Sequence, residues 1–260
     1  MPKTALITGA SSGIGYELAK CFARDGTNLV LVARDEARLR IIAAELQTSC
    51  GVSARVIRAD LARAAAPADV FRETQQAALA IDYLVNNAGF GAGGSFFETD
   101  LETELAMMHV NMVSLVHLAK LYLREMRKRN SGGILNVAST AAFQPGPLMA
   151  IYYASKAFVL SFTEALAEEL RGTGVTATAL CPGPTATDFQ RRAKIESTRL
   201  VKSKLMAMMP ASEVAQAGYR GFLQGKVIVI PGVWNKIGAQ SVRLSPRALV
   251  RRITHKLQEG

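Results

Sequence analysis

The chain has 260 residues, and 49% of them are hydrophobic, which is enough to bury a large core in a single domain. Its three cysteines are scattered, with no CxxC pair and no neighbouring histidine, so the composition argues against a disulfide framework or a metal site and favours a reducing compartment. No apolar run is long enough to span a membrane, and a strand pattern begins almost at the N-terminus, so we expect a cytoplasmic protein without a signal peptide.

The net charge of +10 is concentrated in two segments. Residues 190–204 contain six lysines and arginines against one glutamate, a net charge of +5, and residues 241–260 contain five against one, a net charge of +4. The rest of the chain is therefore nearly neutral. Because no nucleic-acid-binding motif accompanies the basic segments, we expect no nucleic-acid partner.

Short apolar or β-branched runs alternate with longer helical patterns along most of the chain. The predicted strands are Thr4–Thr8, Asn28–Ala33, Ala54–Arg58, Tyr83–Asn86, Gly133–Ser139, Val175–Leu180 and Val227–Ile230. The predicted helices are Gly13–Asp25, Glu36–Thr48, Ala68–Ala80, Leu101–Arg129, Tyr152–Arg171 and Ser212–Gln224. This alternation predicts a parallel sheet with helices on both faces, which is an α/β fold of the doubly wound type.

The alternation predicts one domain over residues 1–233 and a separate tail over residues 234–260. In the tail, Ser245-Pro246 has the form of a helix start. The apolar residues that follow mark one helix face, and they are Leu249, Val250, Ile253 and Leu257. The cations Arg247, Arg251 and Lys256 lie largely off that face. Such a basic amphipathic helix could rest on an anionic membrane or pack against a partner subunit.

A glycine-rich turn directly follows the first predicted strand. Residues 8–15 read TGASSGIG, and glycines there allow a tight turn in which a phosphate approaches backbone N–H groups at the start of the next helix. A bare glycine cluster is often only a turn. Its place between a strand and an amphipathic helix favours a dinucleotide-binding site.

Tyr152 and Lys156 lie one helical turn apart, on the same face of a predicted helix. An ammonium close to a phenol favours the phenolate, so we expect Lys156 to lower the Tyr152 pKa from its ordinary value of about 10. Such a phenol can give a proton to a carbonyl oxygen that receives a hydride. Ser139 ends a predicted strand at the sheet edge where ligands bind, and its hydroxyl could orient that oxygen. We interpret Tyr153, which is out of register with Lys156, as packing or pocket wall.

The glycine turn, Asn86-Asn87-Ala88-Gly89, Ser139 and the YxxxK pair of Tyr152 and Lys156 occur in that order. Together they resemble the motifs of the short-chain dehydrogenase/reductase family, over about Lys3 to Ile230. The resemblance implies a Rossmann-type fold, a nicotinamide dinucleotide, and oxidation or reduction of an alcohol/ketone pair. It also implies a homodimer or homotetramer built through the two long helices, residues 101–129 and 152–171.

The same resemblance implies a role for each catalytic candidate. Tyr152 would be the general acid/base, and Ser139 would orient and polarise the substrate oxygen. Lys156 would tune the tyrosine and bind the nicotinamide ribose. Asn111 would hold a water that links Lys156 to solvent.

The cofactor candidates follow from the turn, from the end of the second strand and from later segments of the family pattern. They are Gly9, Ser11, Ser12, Gly13, Ile14, Gly15, Arg34, Asp60, Leu61, Asn87, Ala88, Gly89, Tyr152, Lys156, Pro182, Gly183, Thr185 and Thr187. Arg34 stands where an acidic residue would bind ribose hydroxyls, and its guanidinium suits a 2′-phosphate, so we expect NADP(H). Arg34 could instead be a solvated cation, Asp35 a helix N-cap, and Asp60 a loop-capping carboxylate.

Residues 185–210 correspond to the substrate loop of the family. The apolar cluster Leu205–Met209 suits a hydrophobic substrate, and the neighbouring cations suit an anionic handle such as the phosphate of an acyl thioester carrier. A solvated loop without a binding role is the alternative. We therefore expect an NADP(H)-dependent oxidoreductase for a hydrophobic or acyl-type carbonyl compound. The alternative function is a scaffold that senses NADP(H) without turnover.

Overall fold

The computed structural model describes residues 2–193, 195–199 and 208–259. Seven parallel strands form the central sheet: β1 (Thr4–Thr8), β2 (Asn28–Ala33), β3 (Ala54–Arg58), β4 (Tyr83–Asn86), β5 (Gly132–Val137), β6 (Val175–Leu180) and β9 (Ile228–Val229). The helices are α1 (Gly13–Arg24), α2 (Glu36–Cys50), α3 (Ala66–Gln76), α4 (Leu101–Met108), α5 (Leu115–Arg129), α6 (Ala150–Glu169), α7 (Phe189–Arg192), α8 (Ala211–Leu223), α9 (Val233–Leu244) and α10 (Arg247–Gln258). All seven predicted strands are confirmed, with bounds within two residues of the prediction.

The strand order is β3-β2-β1-β4-β5-β6-β9, so the order reverses between β1 and β4. Leu6 of β1 pairs with Val30 on one side and with Leu84 on the other. Neighbouring connections leave the sheet in opposite directions at such a reversal, which opens a crevice at the carboxyl ends of the strands. The doubly wound Rossmann-type fold is confirmed, and it places the ligand site at this crevice.

Alternate strand residues enter two apolar clusters on opposite faces of the sheet. Ala5 and Ile7 of β1 pack with α1, α2 and α8, whereas Leu6 packs with α3, α5 and α6. The strands are buried on both faces, which explains why they read as continuous apolar runs in the sequence.

The predicted helix over residues 101–129 is continuous but not uniform. A π-helical turn, His109–Ser114, separates α4 from α5. Such turns occur mostly at functional sites. Here it contains Asn111, whose buried side chain points between the loop after β4 and helix α6. Periodicity alone cannot predict this feature, because it adds only one residue to one turn.

The segment between β6 and α8 contains two short strands that pair with each other, β7 (Thr185–Ala186) and β8 (Met209–Pro210), and the short helix α7. Lys194, Lys202, Lys204 and the residues Leu205–Ala207 of the predicted apolar cluster lie outside the described residues.

The tail forms two helices, α9 and α10, where the sequence predicted one. Helix α10 begins at Arg247, as Ser245-Pro246 predicts. Of its predicted apolar face, Leu249 and Ile253 are exposed and Val250 is buried, together with Thr254 and Gln258. None of the described helices is both long enough and apolar enough to cross a lipid bilayer.

Candidate active site

A cavity of about 1190 Å³ lies along the carboxyl ends of the strands. It exceeds the roughly 300–1,000 Å³ of an ordinary small-molecule pocket, so it has room for a dinucleotide and a substrate together. Every predicted site residue lines it except Gly15 and Asn111. These two lie directly behind the cavity wall, where a Cβ on Gly15 would collide with the Gly9 carbonyl and where Asn111 supports the loop after β4.

The glycine turn is held tightly against the end of β4. The side chain of Asn87 donates to the carbonyl oxygen of Thr8 at 2.9 Å, and the Thr8 hydroxyl accepts from the backbone N–H groups of Asn87 and Ala88 at 3.0 Å each. Gly9 and Gly13 have positive φ angles of 65° and 55°, which any other residue would adopt only with strain. The chain therefore requires glycine at both positions.

The N-terminus of α1 faces the cavity without a side-chain cap. Ser12 occupies the N-cap position but makes no capping hydrogen bond. Uncapped N–H groups together with the helix dipole favour an anion, and Ser11, Ser12 and Gly13 all line the cavity there. This donor set fits the diphosphate of a dinucleotide.

Two arginines line the cavity beside the end of β2. Arg34 was predicted, whereas Arg38, in the first turn of α2, was missed, because a cation there reads as an ordinary exposed helix residue. Asp35 accepts from the Arg38 backbone N–H at 2.9 Å, so its predicted N-cap role is confirmed. Neither guanidinium forms an ion pair with a carboxylate of the described residues. This end of the cavity therefore presents two exposed cations.

The candidates after β3 line the same end of the cavity. Asp60 accepts from the Ala62 backbone N–H at 3.1 Å, as expected for a loop-capping carboxylate. The Leu61 carbonyl accepts from the Ser114 hydroxyl at 2.7 Å, which ties this loop to the π-helical turn. Both residues still line the cavity, so capping does not prevent contact with a ligand.

Tyr152 lies in the first turn of α6, with its phenol beside the side chain of Ser139, just beyond β5. The Ser139 hydroxyl accepts from the Ala141 backbone N–H at 3.1 Å, which fixes it at the start of a short 3₁₀ turn. The two hydroxyl groups predicted to act on a substrate oxygen are therefore adjacent. Both residues line the same cavity as the glycine turn.

Burial dominates the electrostatics of the tyrosine and the lysine. It raises the pKa of Tyr152 to about 12, against a smaller lowering by the neighbouring Ser139 side chain. It also lowers the pKa of Lys156 to about 8. The predicted lowering of the Tyr152 pKa is wrong for this arrangement, because the Lys156 ammonium donates to the Val137 carbonyl at 2.8 Å and lies 5.8 Å from the phenol ring centre. The spacing of two residues in a sequence indicates how close they lie on a helix, but it does not indicate how strongly burial desolvates each side chain.

Asn111 uses its amide entirely within the chain. Its Nδ2 donates to the Phe90 carbonyl and to the Ser155 hydroxyl, both at 3.0 Å, and its Oδ1 accepts from the Phe90 backbone N–H at 3.1 Å. Ser155 immediately precedes Lys156 on α6. Asn111 therefore connects the π-helical turn, the loop after β4 and the helix that carries Tyr152.

Tyr153 forms part of the cavity wall, as predicted, and it is anchored from the C-terminal tail. Its ring packs edge-on against Tyr152, with ring centres 6.0 Å apart. Its hydroxyl accepts a hydrogen bond from Gln258 of α10 at 2.7 Å. Sequence reasoning missed the contribution of α9 and α10 to this wall, because nothing in the motifs indicates where a segment a hundred residues away will pack.

The substrate end of the cavity is mostly apolar. Its lining residues include Met149, Phe189 and Ile195 from the main domain, and Trp234 and Val250 from the two tail helices. The segment after β6 is also fixed by the tail, because a Cβ on Gly183 would collide with the side chain of Asn235 in α9. The cavity thus combines a polar end beside the glycine turn with an apolar end covered by the tail.

Comparison with known proteins agrees with this geometry. A family model described as short chain dehydrogenase matches residues 3–197. An uncharacterized oxidoreductase of Staphylococcus epidermidis is 34% identical over 218 residues, which cover 82% of this chain and 93% of the relative.

Three solved structures that resemble this chain differ in their described ligand or substrate. A short-chain dehydrogenase from Sphingobium yanoikuyae in complex with NADPH has 35% identity and a TM-score of 0.82, covering 94% of this chain and 95% of that chain. A bulky-bulky ketone specific alcohol dehydrogenase from Comamonas testosteroni has 32% identity and a TM-score of 0.78, covering 94% and 93%. A short-chain dehydrogenase/reductase from Burkholderia phymatum in complex with NAD has 27% identity and a TM-score of 0.83, covering 94% and 92%.

The depressed pKa of Lys156 predicts a pH-dependent stability. Between about 8 and its ordinary value of 10.5, the unfolded chain binds more protons at this lysine than the folded chain, so stability rises with pH in that window. The free energy of unfolding of the wild type, relative to that of Lys156→Met, should rise by roughly 1–3 kcal/mol between about pH 7.5 and about pH 10. Urea unfolding curves measure it. Lys120→Met, at an exposed lysine, should follow the wild type. Parallel pH curves for the wild type and Lys156→Met would contradict the depressed pKa.

Proposed function

The chain belongs to the short-chain dehydrogenase family, and we propose that it is an NADP(H)-dependent reductase of bulky hydrophobic ketones, acting on the ketone/secondary alcohol pair. Family membership makes it an oxidoreductase of alcohol and carbonyl groups. The observation that carries the finer proposal is the pair of neighbouring hydroxyl groups of Tyr152 and Ser139. This pair faces a cavity with an apolar end and an end that fits a dinucleotide.

The dinucleotide would be held by the glycine turn, by Arg34 and by the segment around Thr187, and when bound it supplies the hydride. Tyr152 would protonate the substrate oxygen. With a pKa of about 12, this phenol carries its proton at neutral pH, as ketone reduction requires. Ser139 would donate a hydrogen bond to the same oxygen and so fix its direction. Lys156 would hold the nicotinamide ribose and Asn111 would keep α6 in place.

The preference for NADP(H) rests on charge at the end of β2. Arg34 and Arg38 both line the cavity there, and the carboxylate that could oppose a 2′-phosphate, Asp35, already caps α2. A planar guanidinium suits phosphate through two parallel hydrogen bonds. Solved relatives were obtained with NADPH and with NAD, so the family alone does not decide between the two.

The preference for a bulky ketone rests on the apolar end of the cavity. Its wall is built from Met149, Phe189, Ile195 and the tail helices, and the Comamonas testosteroni relative is described as specific for ketones with two bulky sides. An acyl thioester is the less favoured substrate, because described cations near the loop are already paired. Asp188 accepts from Arg191 at 3.0 Å, and Glu259 lies 3.8 Å from Arg199.

We also propose two surfaces for association. The helices that the family pattern implies for a homodimer or homotetramer expose Leu105, Val113 and Phe158. Leu166, on the second of these helices, is buried within the chain and does not contribute to this surface. The second surface is the outer face of α9 and α10, which exposes Ile237, Leu244 and Leu249 among many cations. That mixture suits an anionic membrane.

Tyr152→Phe should lower ketone reduction by about 10²–10⁴-fold, because it removes the transferable proton. NADPH affinity should stay within about threefold of the wild type, since the phenol ring remains. Tyr153→Phe, its neighbour on the same helix, is the matched control and should keep most of the activity. Steady-state NADPH oxidation over a ketone panel and equilibrium NADPH binding measure both effects. A scaffold that only senses NADP(H) would bind the cofactor without any turnover in the wild type. Comparable losses in both tyrosine variants would contradict the assignment of Tyr152.

Arg34→Ala should weaken NADPH binding by about 10–100-fold, the size of a charge-assisted phosphate contact, while NADH affinity changes little. Arg40→Ala is a suitable control, because Arg40 lies nearby on helix α2 but pairs with Glu36 and does not line the cavity. Fluorescence titration with both cofactors gives the comparison. Equal effects of Arg34→Ala on NADPH and NADH would mean that Arg34 is a solvated cation.

The membrane proposal predicts that the protein co-sediments with phosphatidylserine vesicles at low salt and much less with phosphatidylcholine vesicles. Replacing Arg247, Arg251 and Lys256 with glutamine should reduce that binding by an order of magnitude or more, since each cation near an anionic surface contributes about 1 kcal/mol. Replacing the exposed cations Arg63, Arg72 and Lys128, away from the tail, controls for net charge. A wild type that remains in the supernatant with anionic vesicles would rule out this surface as a membrane contact.

A further inference from the structure

Helix α10 buries a stripe in which two of three residues are polar, and it exposes part of its apolar face. Val250, Thr254 and Gln258 follow one another at four-residue intervals and are only 6%, 2% and 5% exposed. Leu249 and Ile253 are each 50% exposed. An amphipathic helix normally packs through its apolar stripe. A segment that departs from this pattern sacrifices apolar burial, and such departures occur mainly where a site is built.

The side-chain amide of Gln258 is only half satisfied. Its Nε2 donates to the Tyr153 hydroxyl at 2.7 Å, but its Oε1 is buried and has no hydrogen-bond partner among the described residues. Buried polar atoms are nearly always paired, so an unpaired carbonyl oxygen in a cavity-lining residue points to a ligand. Thr254 lies one turn earlier on the same face and lines the same cavity.

The end of α10 is fixed rather than a loose terminus. The backbone N–H of Arg199 donates to the Glu259 carbonyl at 2.9 Å, and the side chains of these two residues form an ion pair at 3.8 Å. Tyr153 then connects Gln258 to the catalytic phenol, because its ring packs against that of Tyr152. Gln258 is thus tied to the wall of the cavity beside the catalytic tyrosine.

We propose that Thr254 and Gln258 form a polar subsite in the substrate cavity that binds a hydroxyl group of the ketone, remote from its carbonyl. The inference rests on the proposed function. A hydroxyl can donate to Oε1 of Gln258 and accept from the Thr254 hydroxyl, so it satisfies both groups. A second ketone in the same place could only accept, and it would leave Oε1 unpaired. The subsite therefore distinguishes a hydroxyketone from both the deoxy compound and the diketone.

The test uses matched ketones on two apolar frameworks, a saturated steroid 17-ketone and a decalone. Each carries hydrogen, hydroxyl or oxo on the ring farthest from the reacting carbonyl. On at least one framework, the wild type should prefer the hydroxyketone over both other members by about three- to tenfold in kcat/KM, the size of one hydrogen bond. Thr254→Val and Gln258→Met keep the side-chain volume and should reduce this preference to within about twofold, because the hydroxyketone loses more kcat/KM than the deoxy ketone.

Two controls separate recognition from folding. Tyr153→Phe removes the partner of Nε2 but keeps Oε1, so it should retain the hydroxyl preference. Arg252→Gln, on the exposed side of α10, should match the wild type in both kcat/KM and preference. Thermal unfolding midpoints identify any variant that fails to fold. Parallel losses for all ketones in both Thr254→Val and Gln258→Met, or no hydroxyl preference in the wild type on either framework, would overturn the subsite.

Turnover of the deoxy ketones tests the proposed function by itself. If no ketone is reduced, the proposed function fails, and calorimetric binding of the same hydroxy and deoxy compounds then decides the subsite. In that case tighter binding of the hydroxy compound by the wild type, lost in Gln258→Met, supports the subsite. If the wild type and Gln258→Met bind the hydroxy compound with equal affinity, the subsite is overturned.

Discussion

The position of α6 on the sheet is the constraint on which the site depends, because this helix carries both Tyr152 and Lys156. A buried chain of hydrogen bonds fixes it: Asn86 donates to Asn136 and Asn136 donates to Thr163, each at 2.9 Å. Removing any member would leave a buried partner unpaired, so the chain tolerates only one alignment of helix and strands. Thr163 follows Lys156 by two helical turns and therefore lies on the same face. The contacts that attach the helix also direct its lysine into the sheet edge.

The attachment of α6 to the sheet explains the shifted pKa values of Lys156 and Tyr152. Lys156 reaches the Val137 carbonyl from the same helix face, so its ammonium is desolvated and has one strong neutral acceptor instead of a carboxylate. Burial then disfavours the charged form of both residues, which lowers the pKa of Lys156 and raises that of Tyr152. A phenol that keeps its proton next to Ser139 is suited to donating it. The free-energy cost of desolvating the lysine is thus offset by the packing of the whole helix.

The sequence predicted those parts of the molecule that depend on local spacing. The strands, the glycine turn, Ser139 and the Tyr152–Lys156 pair were all placed correctly, because each is encoded within a few residues and the parallel sheet brings strand ends to one edge. The pKa direction was not predictable, since desolvation depends on everything packed around α6. The packing of α9 and α10 over the apolar end of the cavity was not predictable either. The hydrogen bond from Gln258 to Tyr153 joins residues 105 apart, and the stripe that α10 buries is not its most apolar one.

The two ends of the cavity therefore have different origins. The family match ends at residue 197, after the glycine turn, Ser139, Tyr152 and Lys156. The helices that cover the apolar end begin at Val233, beyond that match. The catalytic groups are thus built by segments inside the family match, whereas the surface that meets the substrate also includes α9 and α10, which lie beyond it. Substrate choice in this protein should consequently depend in part on α9 and α10, where the unpaired oxygen of Gln258 is found.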